Sequence, residues 1–231
     1  MSAGHSLPSR RRSRNLNRIV LAVALAASAL AAWVLGFHRE LPRLGELPDF
    51  ELRAATAVAQ SHFSSRDLIG RPWVADFIFT SCAGPCPALS SRMAVLHKSL
   101  PREFGFLSFT VDPDRDSPEI LQGYAARFGA DPRRWYFLTG DKARLYRLLR
   151  EGFKIAAVAN SKAPLGFQVT HSTKFVLLDC RKTIRGYYDG DDPTALARLQ
   201  KDAGRLPQEG SVSSSLAMRL RVLFQRSLLG S

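Results

Sequence analysis

The longest apolar run comes first. From Ile19 to Phe37 (IVLAVALAASALAAWVLGF) no residue is charged. Coiled as a helix, those residues would extend about 28 Å, close to the roughly 30 Å hydrocarbon core of a bilayer. Trp33 and Phe37 stand at the far end, where aromatic side chains favour a membrane interface. Residues 38–49 contain Pro42 and Pro48, show no period, and read as a linker and entry loop. Shorter segments follow. A strand is expected near Phe50–Arg53, then a turn over Asp67–Pro72, then a buried strand at Trp73–Phe79 (WVADFIF). Pro87 can open a helix, on which Leu89, Met93, Leu96 and Leu100 mark one face before Pro101 ends it. His97 on that helix is read as facing solvent. Phe104–Val111 is a second buried strand, and Ser117-Pro118 is a cap and first-turn pair starting a helix to about Phe128. Trp135–Leu138 reads as a strand, Asp141–Arg150 as a helix, Lys174–Asp179 and Ile184–Asp189 as a strand pair, and Pro193–Ala203 as the last helix. Strands alternating with helices, then a hairpin and a helix, predict an α/β domain with a mixed sheet over residues 50–205.

The ends differ in composition from this domain. Within residues 1–18, Arg10, Arg11, Arg12, Arg14 and Arg18 stand without an acid. By the positive-inside rule they keep the N-terminus cytoplasmic and export the rest, making residues 19–37 a transmembrane anchor. The protein is then single-pass in the inner (cell) membrane, with its domain periplasmic or otherwise extracytoplasmic. A cleaved signal peptide with Ala29-Leu30-Ala31 as its small-residue site, or an Arg- and Ser-rich mitochondrial targeting segment, would also place the domain outside the cytosol or matrix. The apolar run continues past Ala31 without a polar break, which favours the anchor. In residues 206–231, a polar stretch leads to Leu216, Leu220, Leu223 and Phe224 on one helical face, with Arg219, Arg221 and Arg226 mostly elsewhere. Such a basic amphipathic helix either lies on an anionic membrane or packs on the domain.

Net charge is +13 over 231 residues, which raises nucleic acid as a partner. The arginine flank of the apolar run accounts for five of those charges, and no aromatic RNA-binding motif or zinc-finger spacing is present, so no nucleic-acid partner is expected.

Three cysteines are too few for a disulfide scaffold. Cys82 and Cys86 are four residues apart and Cys180 is remote, a distribution suited to redox or metal chemistry. The segment FIFTSCAGPCP places Cys82 just past a buried strand and Cys86 in the first turn of the next helix. A helix N-terminus favours thiolate over thiol. A spacing of four lets both sulfurs meet each other or one ion. A purely stabilising disulfide would close a very short loop for little entropic gain. Structural zinc wants four ligands, and one cysteine remains, far away.

Three stretches carry a resemblance. DLIGRPWVADFIFTSCAGPCP resembles the copper-site segment of the Sco/SenC family, SFTVDPDRDSPEIL its second signature, and VTHSTKFVLLD followed by IRGYYDG its third. They occur in family order and cover most of residues 48–205. The resemblance implies a thioredoxin-like fold and an anchored, exported domain. It also implies that Cys82, Cys86 and His171 bind a copper ion, Cu(I) and also Cu(II). Relatives deliver copper to the binuclear copper site of cytochrome c oxidase or act as thiol–disulfide reductants for it. The implied partners are the copper-site subunit of that oxidase, other copper chaperones or thiol reductants, and the membrane.

Soft thiolates and an imidazole suit copper on chemical grounds. The chain departs from many relatives in having Ala83-Gly84-Pro85 inside CxxxC, and in Ala159–Gln168, which has no clear counterpart. Cys180 is expected to be a bystander thiol. Asp112, Asp114 and Asp116 lack the glycine and glutamate of an EF-hand loop and read as turn and cap residues, with Asp112 near the metal edge. A peroxiredoxin T-x-x-C fails by one residue at Thr80-Ser81-Cys82. The rival function is a general thiol–disulfide oxidoreductase, which needs Cys82 and Cys86 but not His171.

Overall fold

The structure is a computed structural model describing residues 18–28, 30, 40–55, 61–155, 158–159, 169–170 and 172–206. The chain forms two compact units, Met1–Glu40 and Leu41–Ser231. In the first, residues 18–28 are helical, and residues 31–37 of the expected anchor lie outside the described residues. No described helix is long and apolar enough to cross a membrane. The expected tail helix and the stretch 160–168 also lie outside them.

The second unit is an α/β domain around an eight-stranded mixed sheet. Three parallel strands form its centre: β4 (Trp73–Ile78), β5 (Gly105–Thr110) and β6 (Trp135–Thr139). β9 (Lys174–Leu178) runs antiparallel to β4, and β10 (Thr183–Asp189) antiparallel to β9. β1 (Gly45–Glu46) closes one edge against β10, while β2 (Glu51–Ala55) and β3 (Ser61–Ser64) extend the other beyond β6. A separate two-stranded ribbon pairs β7 (Val158–Ala159) with β8 (Val169–Thr170).

Every residue of β4 and β5 is buried, as the continuous apolar runs require of strands covered on both faces. The crossovers between the parallel strands are α1 (Cys86–Ser99) and α2 (Pro118–Arg127). α1 buries Cys86, Leu89, Ser90, Met93, Leu96 and His97, a stripe with steps of three and four. α2 starts where Ser117 caps Ile120 N and Pro118 occupies the first turn. α3 (Lys142–Arg147) passes into a wider π-turn at Leu148–Gly152, so the helix expected to Arg150 changes pitch near its end. α4 (Pro193–Ala203) has the expected bounds, capped by Asp192.

Close packing fixes two glycines. A Cβ on Gly105 would lie 2.2 Å from the Trp73 ring, its register partner across β4 and β5. A Cβ on Gly190 would lie 2.2 Å from Leu89 and 2.6 Å from the Thr173 carbonyl oxygen. Gly190 thus lets the chain before β9 approach α1 one turn after Cys86.

Two expectations change. Residues 38–49 were expected to be a linker and entry loop; from Leu41 on they carry β1 and bury Leu41 and Leu47. The cause is distant in sequence: buried Arg185 donates to the carbonyls of Leu41 (2.6 Å) and Pro42 (3.0 Å) while bonding Asp179 (2.9 Å). His97 was expected in solvent; it is buried, its ring 5.2 Å from Phe106 and 5.6 Å from Trp135. It follows Met93 by four residues and so shares the buried face of α1.

Candidate functional site: a dithiol at the ends of the parallel strands

In open sheets of parallel strands, ligands bind beyond the carboxyl ends of the strands. Here the chain leaves β4 at Ile78, turns through Thr80-Ser81, and reaches Cys82 four residues later. The Cys82 amide closes this turn on the Phe79 carbonyl at 3.2 Å. Ala83, Gly84 and Pro85 then bring the chain to Cys86, the first residue of α1. Because Cys82 precedes the helix, it is the turn that gathers the two sulfurs, and helical spacing plays no part. Neither cysteine is in a disulfide, and both are buried, Cys86 completely and Cys82 to 8% exposure.

The Cys86 thiol is held far above the ordinary range. The main cause is its hydrogen bond with Cys82, followed by burial; a bond from the Phe79 backbone opposes both, and the charges of Cys82 and Asp76 add to the rise. The thiolate-favouring effect expected at a helix N-terminus is therefore outweighed at Cys86. The two thiols titrate as an interacting pair, and each must lose its proton before both sulfurs can hold a cation as thiolates.

The floor of the site is polar. Asp76, in the middle of β4, is fully buried, and its charge raises both Cys86 and Tyr124. Burial is the main cause that lifts the Tyr124 hydroxyl of α2 above the usual tyrosine value, and its 3.0 Å hydrogen bond with Ser90 of α1 opposes this. Asp116 is also fully buried; it accepts from Thr80 N (3.1 Å), Thr80 Oγ1 (2.5 Å) and Thr110 Oγ1 (2.5 Å). The Asp112 amide donates to Thr110 Oγ1 at 3.0 Å. Burial, then the Asp116 charge, raises the Asp112 carboxyl, and Arg115 opposes this from 3.8 Å. Asp114 instead pairs with Lys142 at the surface.

Of the residues expected at the site, Cys82 and Cys86 come together. His171 lies outside the described residues. Next to it in the chain, Ser172 and Thr173 are described, and the Thr173 carbonyl lies against Gly190, beside Leu89 of α1. Cys180 sits half-buried in the turn between β9 and β10, by the amino end of β4, where its carbonyl accepts from Gly70 N. No group of three or more His, Cys, Asp or Glu able to hold a metal occurs among the described residues. Two adjacent soft sulfurs fit a soft monovalent ion such as Cu(I) better than a hard cation. The expectation passed over Asp76 and gave Asp116 only a turn role. A lone aspartate inside an apolar strand run was the available signal for Asp76.

Comparison with known proteins agrees with this arrangement. The SCO1/SenC family model matches residues 47–201. The chain is 35% identical over 136 residues to the SCO1 protein homolog of Bacillus subtilis, covering 57% of this chain and 68% of that protein. It is 31% identical over 167 residues to a Stutzerimonas stutzeri protein named as a candidate copper-binding protein, covering 70% and 76%. The solved structure of BsSco is described as a member of the Sco family of cytochrome c oxidase assembly proteins with a disulfide switch. It superposes with a TM-score of 0.62 at 30% identity, over 73% of this chain and 96% of that one. The fold is the thioredoxin-like α/β fold of those structures, with the cysteine pair at the turn from a central strand into α1. By sequence match and by fold together, the chain belongs to the SCO1/SenC family.

Proposed function

We propose that this protein handles copper during cytochrome c oxidase assembly, holding the ion on Cys82, Cys86 and His171 and passing it to the copper-site subunit of the oxidase. The observation that carries the reading is the pair of buried thiols, hydrogen-bonded to each other, at the carboxyl end of β4. Family membership and the names of the two relatives described above, one for copper and one for oxidase assembly, support it. The chain after His171 runs beside α1 at Leu89, in keeping with a third donor near the sulfurs.

Copper is cargo in this reading. Loading releases the protons of the two thiols, and transfer moves Cu(I) to the acceptor's ligands as protons return. The same pair can pass two electrons to a partner disulfide, closing a Cys82–Cys86 disulfide and leaving two thiols on the partner. Oxidation removes both sulfur donors, so copper loading and disulfide formation exclude each other. The uncharged run 19–37 and its arginine flank make the protein a single-pass anchor in the inner membrane, with its domain outside the cytosol.

The test separates delivery from general thiol exchange. His171→Ala leaves both thiols in place and removes the imidazole. Copper titration of the reduced protein should show weaker binding, most clearly for Cu(II), with disulfide exchange retained. In cells, the variant should fail to mature the oxidase at low copper. Full oxidase activity there would remove the ligand role from His171 and leave thiol–disulfide reduction as the function.

A further inference from the structure

Beneath the turn that carries Cys82 lies a carboxyl group whose bonds join three segments. Asp116 stands at the foot of α2, with no solvent exposure. One carboxyl oxygen accepts Thr80 Oγ1 at 2.5 Å; the other accepts Thr80 N at 3.1 Å and Thr110 Oγ1 at 2.5 Å. Thr80 lies two residues beyond Ile78 and two before Cys82. Thr110 ends β5 and is the register partner of Ile78. The Asp116 amide is itself held by the Asp112 carbonyl at 2.9 Å. The exit of β4, the end of β5 and the entry to α2 therefore converge on one side chain. Thr80 uses both its backbone and its side-chain donor on this carboxyl group, so little freedom remains in the chain just before the reactive sulfur.

We infer that Asp116 is a positioning residue for the dithiol: by fixing Thr80 it sets where Cys82 stands relative to Cys86. The inference rests on the reading of Cys82 and Cys86 as the working pair. The physical argument is preorganisation. Two thiols held together act at a high effective concentration toward each other and toward one ion, and a loose turn lowers it. Bonds that orient ligating groups from behind commonly matter about 10- to 100-fold in metal affinity. Thr110 ties the same carboxyl group to the sheet and not to the cysteine turn, so its loss should cost stability with less effect on the sulfurs.

Four variants of the full chain test this: Asp116→Asn, Thr80→Val, Thr110→Val, and Ser117→Ala. The last removes the cap of α2 at Ile120 and touches neither Thr80 nor the cysteines. Thr80→Val keeps the shape and the backbone donor while deleting one hydroxyl, which protects the test if Asp116→Asn folds poorly. Two quantities are read on each protein: Cu(I) affinity by competition with a chelator, and the Cys82–Cys86 midpoint potential of the metal-free protein. Asp116→Asn and Thr80→Val should each weaken Cu(I) binding about tenfold. They should make the disulfide about tenfold less favourable, an upward shift of about 30 mV for a two-electron couple. Combined, they should change little beyond either alone, because they break one interaction. Ser117→Ala should lower stability with both readouts unchanged, and Thr110→Val should move them less than Thr80→Val does. The inference is overturned if folded Asp116→Asn and Thr80→Val keep wild-type affinity and potential, or if Ser117→Ala shifts both readouts equally. If the wild-type cysteines neither bind Cu(I) nor interconvert with a disulfide, the reading of the pair fails and this inference falls with it.

Discussion

The two ends of the parallel strands bury different chemistry. At the amino end, Trp73, Phe106 and Trp135 pack with Phe63, Tyr136 and His97. The buried His97 Nε2 has no hydrogen-bond partner there, whereas both indole nitrogens are bonded close by. Trp73 Nε1 donates to the Leu68 carbonyl (3.0 Å) and Trp135 Nε1 to Ser108 (2.9 Å), while Arg71 lies 4.0 Å over the Trp73 ring. At the carboxyl end, half-buried Thr80 joins the buried Cys82, Cys86, Thr110, Asp112 and Asp116, and their partners come from separate segments. Aromatic packing is close to indifferent to which residue meets which, provided volume is filled. A buried polar cluster works only if every member is in place. One end is therefore built for stability, and the other spends buried polar groups to hold two thiols.

The sharpest way to break this contrast is to remove a sulfur. Cys82→Ser and Cys86→Ser should each abolish both Cu(I) binding and disulfide formation while leaving thermal stability near wild type. Copper titration and free-thiol counting check this, and retained copper binding in either variant would contradict it. Next in size is a change at the other end. Gly105→Ala drives a methyl group into the Trp73 ring and should cost about 1–3 kcal/mol in denaturant unfolding. Cu(I) affinity of the folded protein should not change; a parallel loss would show that the two ends are coupled.

A smaller effect is expected from Asp76→Asn. The Asp76 charge contributes to the raised Cys86 thiol, so the neutral variant should ionise Cys86 at lower pH. The pH profile of alkylation, read separately for Cys86 by mass spectrometry, should move to lower pH. An unchanged or opposite shift would remove that charge from the account. The smallest effect concerns His97. Burial first, then Arg134, lowers its folded-state value below the ordinary 6.5, and Asp131 opposes them. Such a group contributes its full stability above the unfolded value and loses it as pH falls from there toward the folded value, because only the unfolded chain takes up the proton. As pH falls below the unfolded value of 6.5, the wild type should lose stability relative to His97→Leu. Parallel pH curves for the two proteins would rule the histidine out as the source.

Elements with local signals were readable from the chain. Pro193–Ala203 has an Asp192 cap with proline in its first turn, and β4 and β5, mostly apolar apart from Asp76, Ser108 and Thr110, read as interior strands. β1 and β3 carry no such signal. They are two and four residues long, and they exist because β10 and β2 offer open edges to them. His97 could have been placed from its step of four beyond Met93, which outweighs the usual preference of histidine for the surface.

By itself, the sequence determined that Cys82 ends a strand exit and that Cys86 opens a helix, since these depend on the apolar run before them and the proline after. It also determined the family, through three ordered motifs. Only the tertiary structure decided which of Asp112, Asp114 and Asp116 matters to the cysteine turn. Their spacing alone does not tell them apart, and the choice depends on Thr80 arriving from 36 residues away. It likewise decided that the domain begins at Leu41, because the arginine holding that carbonyl is 144 residues distant. Hydrophobic period is written into neighbouring residues, whereas the partner of a buried polar group is chosen by the folded chain.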